Sequence, residues 1–152
     1  MPYGLAFDTN TRTIFIADCF AHRVLGLKRV GDGYLLASIY GRYGYGTGFN
    51  TLSWPVGIAF DPKRRWIYVT EGEPNHRVQV FSEEGVSLGF FGGSDSFFVP
   101  AGIALGPSRN IFICDRRAHR LQTWRLRLRV EKLQALCWKA ILKHNLLQNH
   151  SQ

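Results

Sequence analysis

No stretch of eighteen consecutive apolar residues occurs in the 152-residue chain, so no transmembrane helix is expected. Behind Met1 there is no basic region leading into an apolar run, and a secretory signal is not expected either. Cysteine is scarce: Cys19, Cys114 and Cys137 lie far apart, odd in number and without a CxxC pair. That spacing supports neither a zinc knuckle nor a redox dithiol. The thiols read as small apolar filler in a reducing compartment, which favours the cytoplasm. Catalytic signatures are missing too, with no Ser-His-Asp order, no HExxH and no Gly-x-Ser-x-Gly elbow. The glycine-rich GRYGYGTG (41–48) lacks the Gly-Lys-Ser/Thr ending of a phosphate loop.

Acidic residues are nearly absent from the last quarter. Residues 116–152 hold nine Lys/Arg against the single Glu131, which accounts for the whole net charge of +8. Residues 1–115 carry ten of each sign, so the body of the chain is electrically balanced. A nucleic-acid partner is recognised through neutralised phosphates, and a balanced body argues against that class. Arg23, Arg42, Lys63, Arg64 and Arg65 are the residues from which a local basic patch would have to be built.

The composition is that of a globular domain large enough for a sizeable core, with 45% hydrophobic and 20% charged residues. Eleven Phe, six Tyr, four Trp and sixteen Gly lean toward aromatic-rich strands punctuated by turns.

A repeat organises the chain. PYGLAFD (2–8), PVGIAFD (55–61) and PAGIALG (100–106) are three copies of one phrase. Each is followed by RTIFIAD (12–18), RWIYVTE (65–71) or RNIFICD (109–115), and then by AHRVLGL (21–27), NHRVQVF (75–81) or AHRLQTW (118–124). The Pro-x-Gly opening, with Gly4, Gly57 and Gly102, reads as a turn, because Pro restricts φ and Gly accepts conformations that other residues resist. The short apolar runs that follow are β-branched and aromatic, or alternate with period two, and read as strands. A weaker fourth strand is expected at 34–40 in the first copy and 86–91 in the second. Each unit is then a four-stranded antiparallel meander with two apolar faces, which stacking around an axis would cover.

These phrases resemble the NHL repeat: Pro-x-Gly-Ile-Ala-x-Asp, then Ile-Tyr-Val-x-Asp, then Asn-His-Arg-Val-Gln-Val-Phe. Residues 55–93 match it best, departing at Glu71. The first copy departs at Ala21, Leu25 and Gly26, and the third at Gly106 and Ala118. The resemblance covers residues 2 to about 124. It implies an all-β fold: a partial β-propeller of about three repeats (2–49, 55–97 and 100–124), within a segment 1–130 and with the last blade incomplete. Such propellers usually have about six blades, so further blades or self-association are implied. Relatives include modules that bind RNA or recruit substrates to ubiquitin ligases, extracellular sensors, and an amidating lyase.

From Glu131 the apolar positions Leu133, Leu136, Cys137, Ala140, Ile141 and Leu147 recur at spacings of three and four, with lysines between them. This predicts a basic amphipathic helix over 131–152, in the place of the last blade's fourth strand. It would act as an edge cap, or as a membrane-surface or calmodulin-type target helix.

His22, His76 and His119 suggest a metal site, but they occupy equivalent positions in successive blades. Packed sheets lie about 10 Å apart, while zinc holds its nitrogens at about 2 Å. They read instead as repeat-maintaining residues. Asp18/Arg23, Glu71/Arg77 and Asp115/Arg120 read as bidentate ion pairs that pin the hairpin into the third strand. The loop with Arg42, Tyr43 and Tyr45 is the candidate partner-binding segment, since loops on rigid scaffolds carry binding. The functional expectation is a non-enzymatic scaffold for a protein partner, with no metal or cofactor. RNA binding, ubiquitin-ligase substrate recruitment and an amidating-lyase-like metalloenzyme are the alternatives, although no set matching the lyase's metal and catalytic residues stands out.

Overall fold

The computed structural model describes residues 1–41, 44–126 and 141–144. Three four-stranded antiparallel sheets follow one another along the chain. Blade one comprises β1 (Pro2–Asp8), β2 (Thr13–Asp18), β3 (Arg23–Val30) and β4 (Gly33–Tyr40). Blade two comprises β5 (Pro55–Asp61), β6 (Trp66–Glu71), β7 (Arg77–Ser82) and β8 (Ser87–Gly92). Blade three comprises β9 (Pro100–Leu105), β10 (Asn110–Asp115), β11 (Arg120–Leu126) and β12 (Ile141–His144). The all-β, three-bladed architecture expected from the repeat is the one the chain adopts.

The inner strands β1, β5 and β9 lie side by side and carry the packing from blade to blade. Because side chains alternate along a strand, each inner strand gives one row to the blade before it and the other to the blade after it. Blades one and two enclose Phe15, Val24, Tyr40, Ile58, Ile67 and Phe81. Blades two and three enclose Tyr68, Val80, Phe91, Phe97, Ile113 and Trp124. Blade two is covered on both sides, so β7 is buried along nearly its whole length, whereas β4 of blade one is exposed over most of its length.

Two local expectations are corrected. Pro-x-Gly is a register irregularity inside the inner strand rather than a turn before it. The pairing shifts between Pro2 and Leu5, between Pro55 and Ile58, and opposite 113–115 in blade three. A bulge is where a strand tolerates Pro, because the missing N–H falls outside the regular ladder. Gly4, Gly57 and Gly102 are not among the positive-φ glycines, so backbone freedom is not why they are there. Instead, a Cβ on Gly4 would lie 2.4 Å from the Val56 carbonyl oxygen, and one on Gly57 2.0 Å from that of Ala101. Glycine is what lets the inner strands approach.

The second correction concerns the tail. Ile141–His144, inside the expected helix, is a strand paired antiparallel to β11, with Thr123 opposite His144 and Leu126 opposite Ile141. The open edge of β11 offers a row of backbone donors and acceptors, and a strand satisfies that row where a helix cannot. The remainder of the expected helix, and the extension of the third strand over 127–130, lie outside the described residues.

Candidate functional site

The loops at one end of the blades are anchored by three carboxylates, each the last residue of a second strand; Glu71 and Asp115 are fully buried and Asp18 is partly exposed. Asp18, Glu71 and Asp115 are followed by short turns that end in His22, His76 and His119, all in the left-handed region (φ 52°, 46° and 49°). In blades one and three the turn is a single 3₁₀ turn, Cys19–Ala21 or Arg116–Ala118. The histidines are thus placed one per blade. His22 Nδ1 accepts the Trp54 N–H at 3.2 Å, a bond from blade one to the loop entering blade two.

The arginines do not form the expected two-oxygen fork. Arg77 Nε donates to Glu71 Oε1 at 2.7 Å, while Oε2 accepts from the Ser53 N–H and Asn75 Nδ2. Arg120 Nε and Nη2 both reach Asp115 Oδ2, because Oδ1 accepts the N–H groups of Phe98 and Val99 at 2.9 Å. Arg23 Nε reaches Asp18 Oδ2 at 3.2 Å, with the Met1 amine on Oδ1. Each carboxylate divides its oxygens between its own arginine and the chain entering its blade, so it fixes a loop as well as a hairpin.

Blade two shows this most fully. Freed from a fork, Arg77 Nη1 donates to the Thr47 carbonyl at 2.7 Å and Nη2 to the Gly48 carbonyl at 3.1 Å. Asn75 Nδ2 donates to the Gly46 carbonyl at 2.9 Å. The guanidinium also lies 4.3 Å over the Phe90 ring and bonds Gln79, whose amide reaches Ser87. The glycine-rich loop is held through the carbonyls of Gly46, Thr47 and Gly48, which needs no particular side chain at those positions. In blade three, Arg120 and Gln122 hold the Ser96 carbonyl in the same way. Burial pushes the Glu71 carboxyl up, against the pull of Arg77, Asn75 and Ser53. Burial opposes ionisation at Asp115 as well, but the N–H groups of Val99 and Phe98, with Arg120 and Gln122, hold it below the usual carboxylate range.

The loops so anchored present aromatic rings to solvent. Trp54 packs edge-on against Phe20 (5.4 Å between ring centres) and His22 (4.8 Å), and His22 against Tyr45 (5.0 Å). Phe20 and Tyr45 remain more than half exposed, and Phe49 and Phe98 join them. Beside them a shallow cleft of about 270 Å³ is lined by Tyr3, Trp54, Glu73, Arg116 and Arg117, and Arg117 pairs with Glu73 at 2.6 Å. Of the expected loop residues Tyr45 lies on this face, while Arg42 and Tyr43 lie outside the described residues. Tyr40, just before the loop, is fully buried, and its hydroxyl donates to the Glu83 carbonyl at 2.7 Å. Sequence reasoning missed Phe20, Trp54 and Phe98. An available signal was that these large aromatics fall between the repeated strand phrases rather than within them.

Three residues of the expected basic patch are ion-paired, two at the opposite end and Arg23 on the loop face. Arg64 meets Asp61 at 2.6 Å, Arg65 joins Asp8 of blade one (2.7 Å) to Glu83, and Arg23 is held by Asp18. Among the described residues, no three His, Cys, Asp or Glu side chains come together as a metal-holding set.

The NHL repeat family model matches residues 52–81. Among curated proteins, the peptidyl-glycine alpha-amidating monooxygenase of Mus musculus is 29% identical over 136 residues, covering 82% of this chain. The chain spans 14% of that relative's length. Among solved structures, a chain of the nidogen/laminin complex superposes with a TM-score of 0.61 at 26% identity, over 80% of this chain and 43% of that one. A gluconolactonase from Xanthomonas campestris superposes with a TM-score of 0.55 at 16% identity, over 75% of this chain and 34% of its own.

Proposed function

We propose that this chain, which carries NHL repeats folded as propeller blades, is a non-catalytic binding module that presents its aromatic loop face to a protein partner. The observation that carries the reading is the Trp54–Phe20–His22–Tyr45 cluster, exposed on loops whose backbone is pinned from beneath by buried carboxylates and arginines. Exposed aromatics on a prearranged surface supply contact area at little cost in conformational entropy, as binding hot spots do. The Arg117–Glu73 pair at the edge adds a polar rim. Similarity to a chain of the nidogen/laminin complex, whose name describes a protein–protein assembly, supports the same class of function. The test is selection of displayed peptides on the 152-residue chain. Enriched peptides should lose at least tenfold in affinity for Trp54→Ala and Phe20→Ala variants. Equal affinity for wild type and both variants would refute the assignment of this face.

A second reading, a metalloenzyme fragment of amidating-lyase type, draws on the similarity to the mouse monooxygenase. Metal analysis of the purified chain tests it, with a stoichiometric transition metal favouring the enzyme. RNA binding and recruitment of ubiquitin-ligase substrates are less favoured. For RNA, the carboxylates beside Arg23, Arg64 and Arg65 already occupy the charges that phosphates would need.

A further inference from the structure

Each junction between blades pairs two unlike surfaces. One is the row at the second, fourth and sixth positions of an inner strand. The other is the glycine-and-alanine row of the preceding blade, with the side chains around it. At the first junction Ile58 is 6% exposed, and Val56 O and Ile58 Cγ2 lie 2.4 and 3.2 Å from where a Gly4 Cβ would be. At the second junction the Ala101 carbonyl sits against Gly57 and accepts the Thr70 hydroxyl at 2.7 Å, while Ile103 and Leu105 pack on the shared core.

Both kinds of surface recur, uncovered, on the two outer flanks. On blade one, Tyr3, Leu5 and Phe7 occupy the positions of Val56, Ile58 and Phe60, and they are 57%, 68% and 51% exposed. On blade three, Gly102 and Ala104 occupy the positions of Gly57 and Ala59 and are exposed. A Cβ on Gly102 would meet nothing nearer than Cys114 Sγ at 3.5 Å, so the notch that a neighbouring carbonyl fills at the other two glycines is open here. Exposed Cys114 takes the place of Thr70, and exposed Leu121 that of the fully buried Val78.

We propose that blade three of one copy receives blade one of a second copy, head to tail, with the Tyr3 carbonyl over Gly102 and the Leu5 and Phe7 side chains against Ala104, Cys114 and Leu121. The occupant follows from the repeat itself. Pro2-Tyr3-Gly4-Leu5 has the form of Pro100-Ala101-Gly102-Ile103, the segment that fills the same notch on blade two. One chain therefore carries both halves of a heterologous interface, which closes when its rotation completes a turn. Two copies make six blades, inside the four-to-eight range over which propellers close, and leave neither flank open.

Sedimentation equilibrium of the full chain at micromolar concentration is expected to give a dimer. Gly102→Val should give a monomer that still unfolds cooperatively, below the wild-type temperature only by the stabilisation that the partner copy supplies, since its Cβ meets only ordinary contacts within its own blade. Leu5→Asp should also give a monomer. An equimolar mixture of the two variants should restore dimers, because the intact blade one of the first fits the intact blade three of the second. Alkylation of Cys114 by iodoacetamide, followed by mass spectrometry, should be at least fivefold slower in wild type than in Leu5→Asp. A monomeric wild-type chain would assign the flanks to another occupant, such as further blades of a longer polypeptide, and would overturn the proposal. So would a dimer that survives Gly102→Val, which would mean like flanks pair with each other.

Discussion

Substituting Gly57 by Val tests why the repeat has glycine at this position. The new Cβ would stand 2.0 Å from the Ala101 carbonyl oxygen and 2.9 Å from Thr70 Oγ1. The first contact is with backbone, so no rotamer change relieves it, and β5 and β9 must separate by more than an ångström. Overpacking in a close-packed interior costs about 1–3 kcal/mol by itself. Separation also removes the Thr70 hydroxyl bond to Ala101, worth about 1 kcal/mol, and loosens the junction around Tyr68, Ile111 and Trp124. The expected total is about 2–4 kcal/mol. For a chain of this size that lowers the melting temperature by roughly 4–16 °C. Urea unfolding followed by tryptophan fluorescence measures it, with Gly57→Ala as a milder step in the same series. Because φ at Gly57 is not positive, conformational strain contributes nothing. A loss below about 1 kcal/mol for Gly57→Val would show that the strands part freely and that close approach is not what glycine serves.

Glu71→Gln removes the charge facing Arg77, which is 4% exposed, and should cost about 3 kcal/mol, with faster amide exchange at residues 46–48 as the loop is released. Exchange unchanged from wild type would separate the loop from this network. Asp8 is buried, which opposes ionisation, but the hydrogen bond and charge of Arg65, with Thr11 and the Asn10 N–H, lower its pKa to about 2. A depressed folded pKa means that the unfolded chain binds the proton more tightly, so stability rises with pH. The stability advantage over Asp8→Asn, about 2 kcal/mol, should be complete above about pH 4 and fade as pH falls toward 2; a gap independent of pH would contradict it. Tyr40→Phe removes a hydroxyl that burial has pushed up to about 12 and that bonds the Glu83 carbonyl. It should cost about 1–2 kcal/mol by calorimetry, and no change would mean that the carbonyl finds water.

The strands and their order were legible because their information is local. A run such as Ile67-Tyr68-Val69 carries its own β-branched and aromatic character, and three copies in the same order show which runs belong together. The anchoring network was legible in part. Each acid and its arginine recur at nearly the same spacing, so their meeting across a hairpin follows from antiparallel pairing, as Asp18↔Arg23, Glu71↔Arg77 and Asp115↔Arg120 show. The loop held beneath them was not legible. Arg77 binds the carbonyls of Thr47 and Gly48, and a backbone carbonyl leaves no mark in the residue type that bears it.

By itself, the sequence determined the blade: four strands, their pairing order, and a glycine and a carboxylate at set places in each copy. Tertiary structure decided what those residues do, since their partners belong to the neighbouring unit. Gly57 answers to a carbonyl of β9, 44 residues on, and Asp8 to an arginine of blade two. The tail shows the same division. The spacing of Leu133, Leu136, Ala140 and Ile141 suits a helix, yet Ile141–His144 is a strand, because the unpaired edge of β11 supplies hydrogen bonds to any segment that lies along it. Periodicity along the chain is a property of one segment, whereas an open edge or an open notch is created only when another segment has already folded.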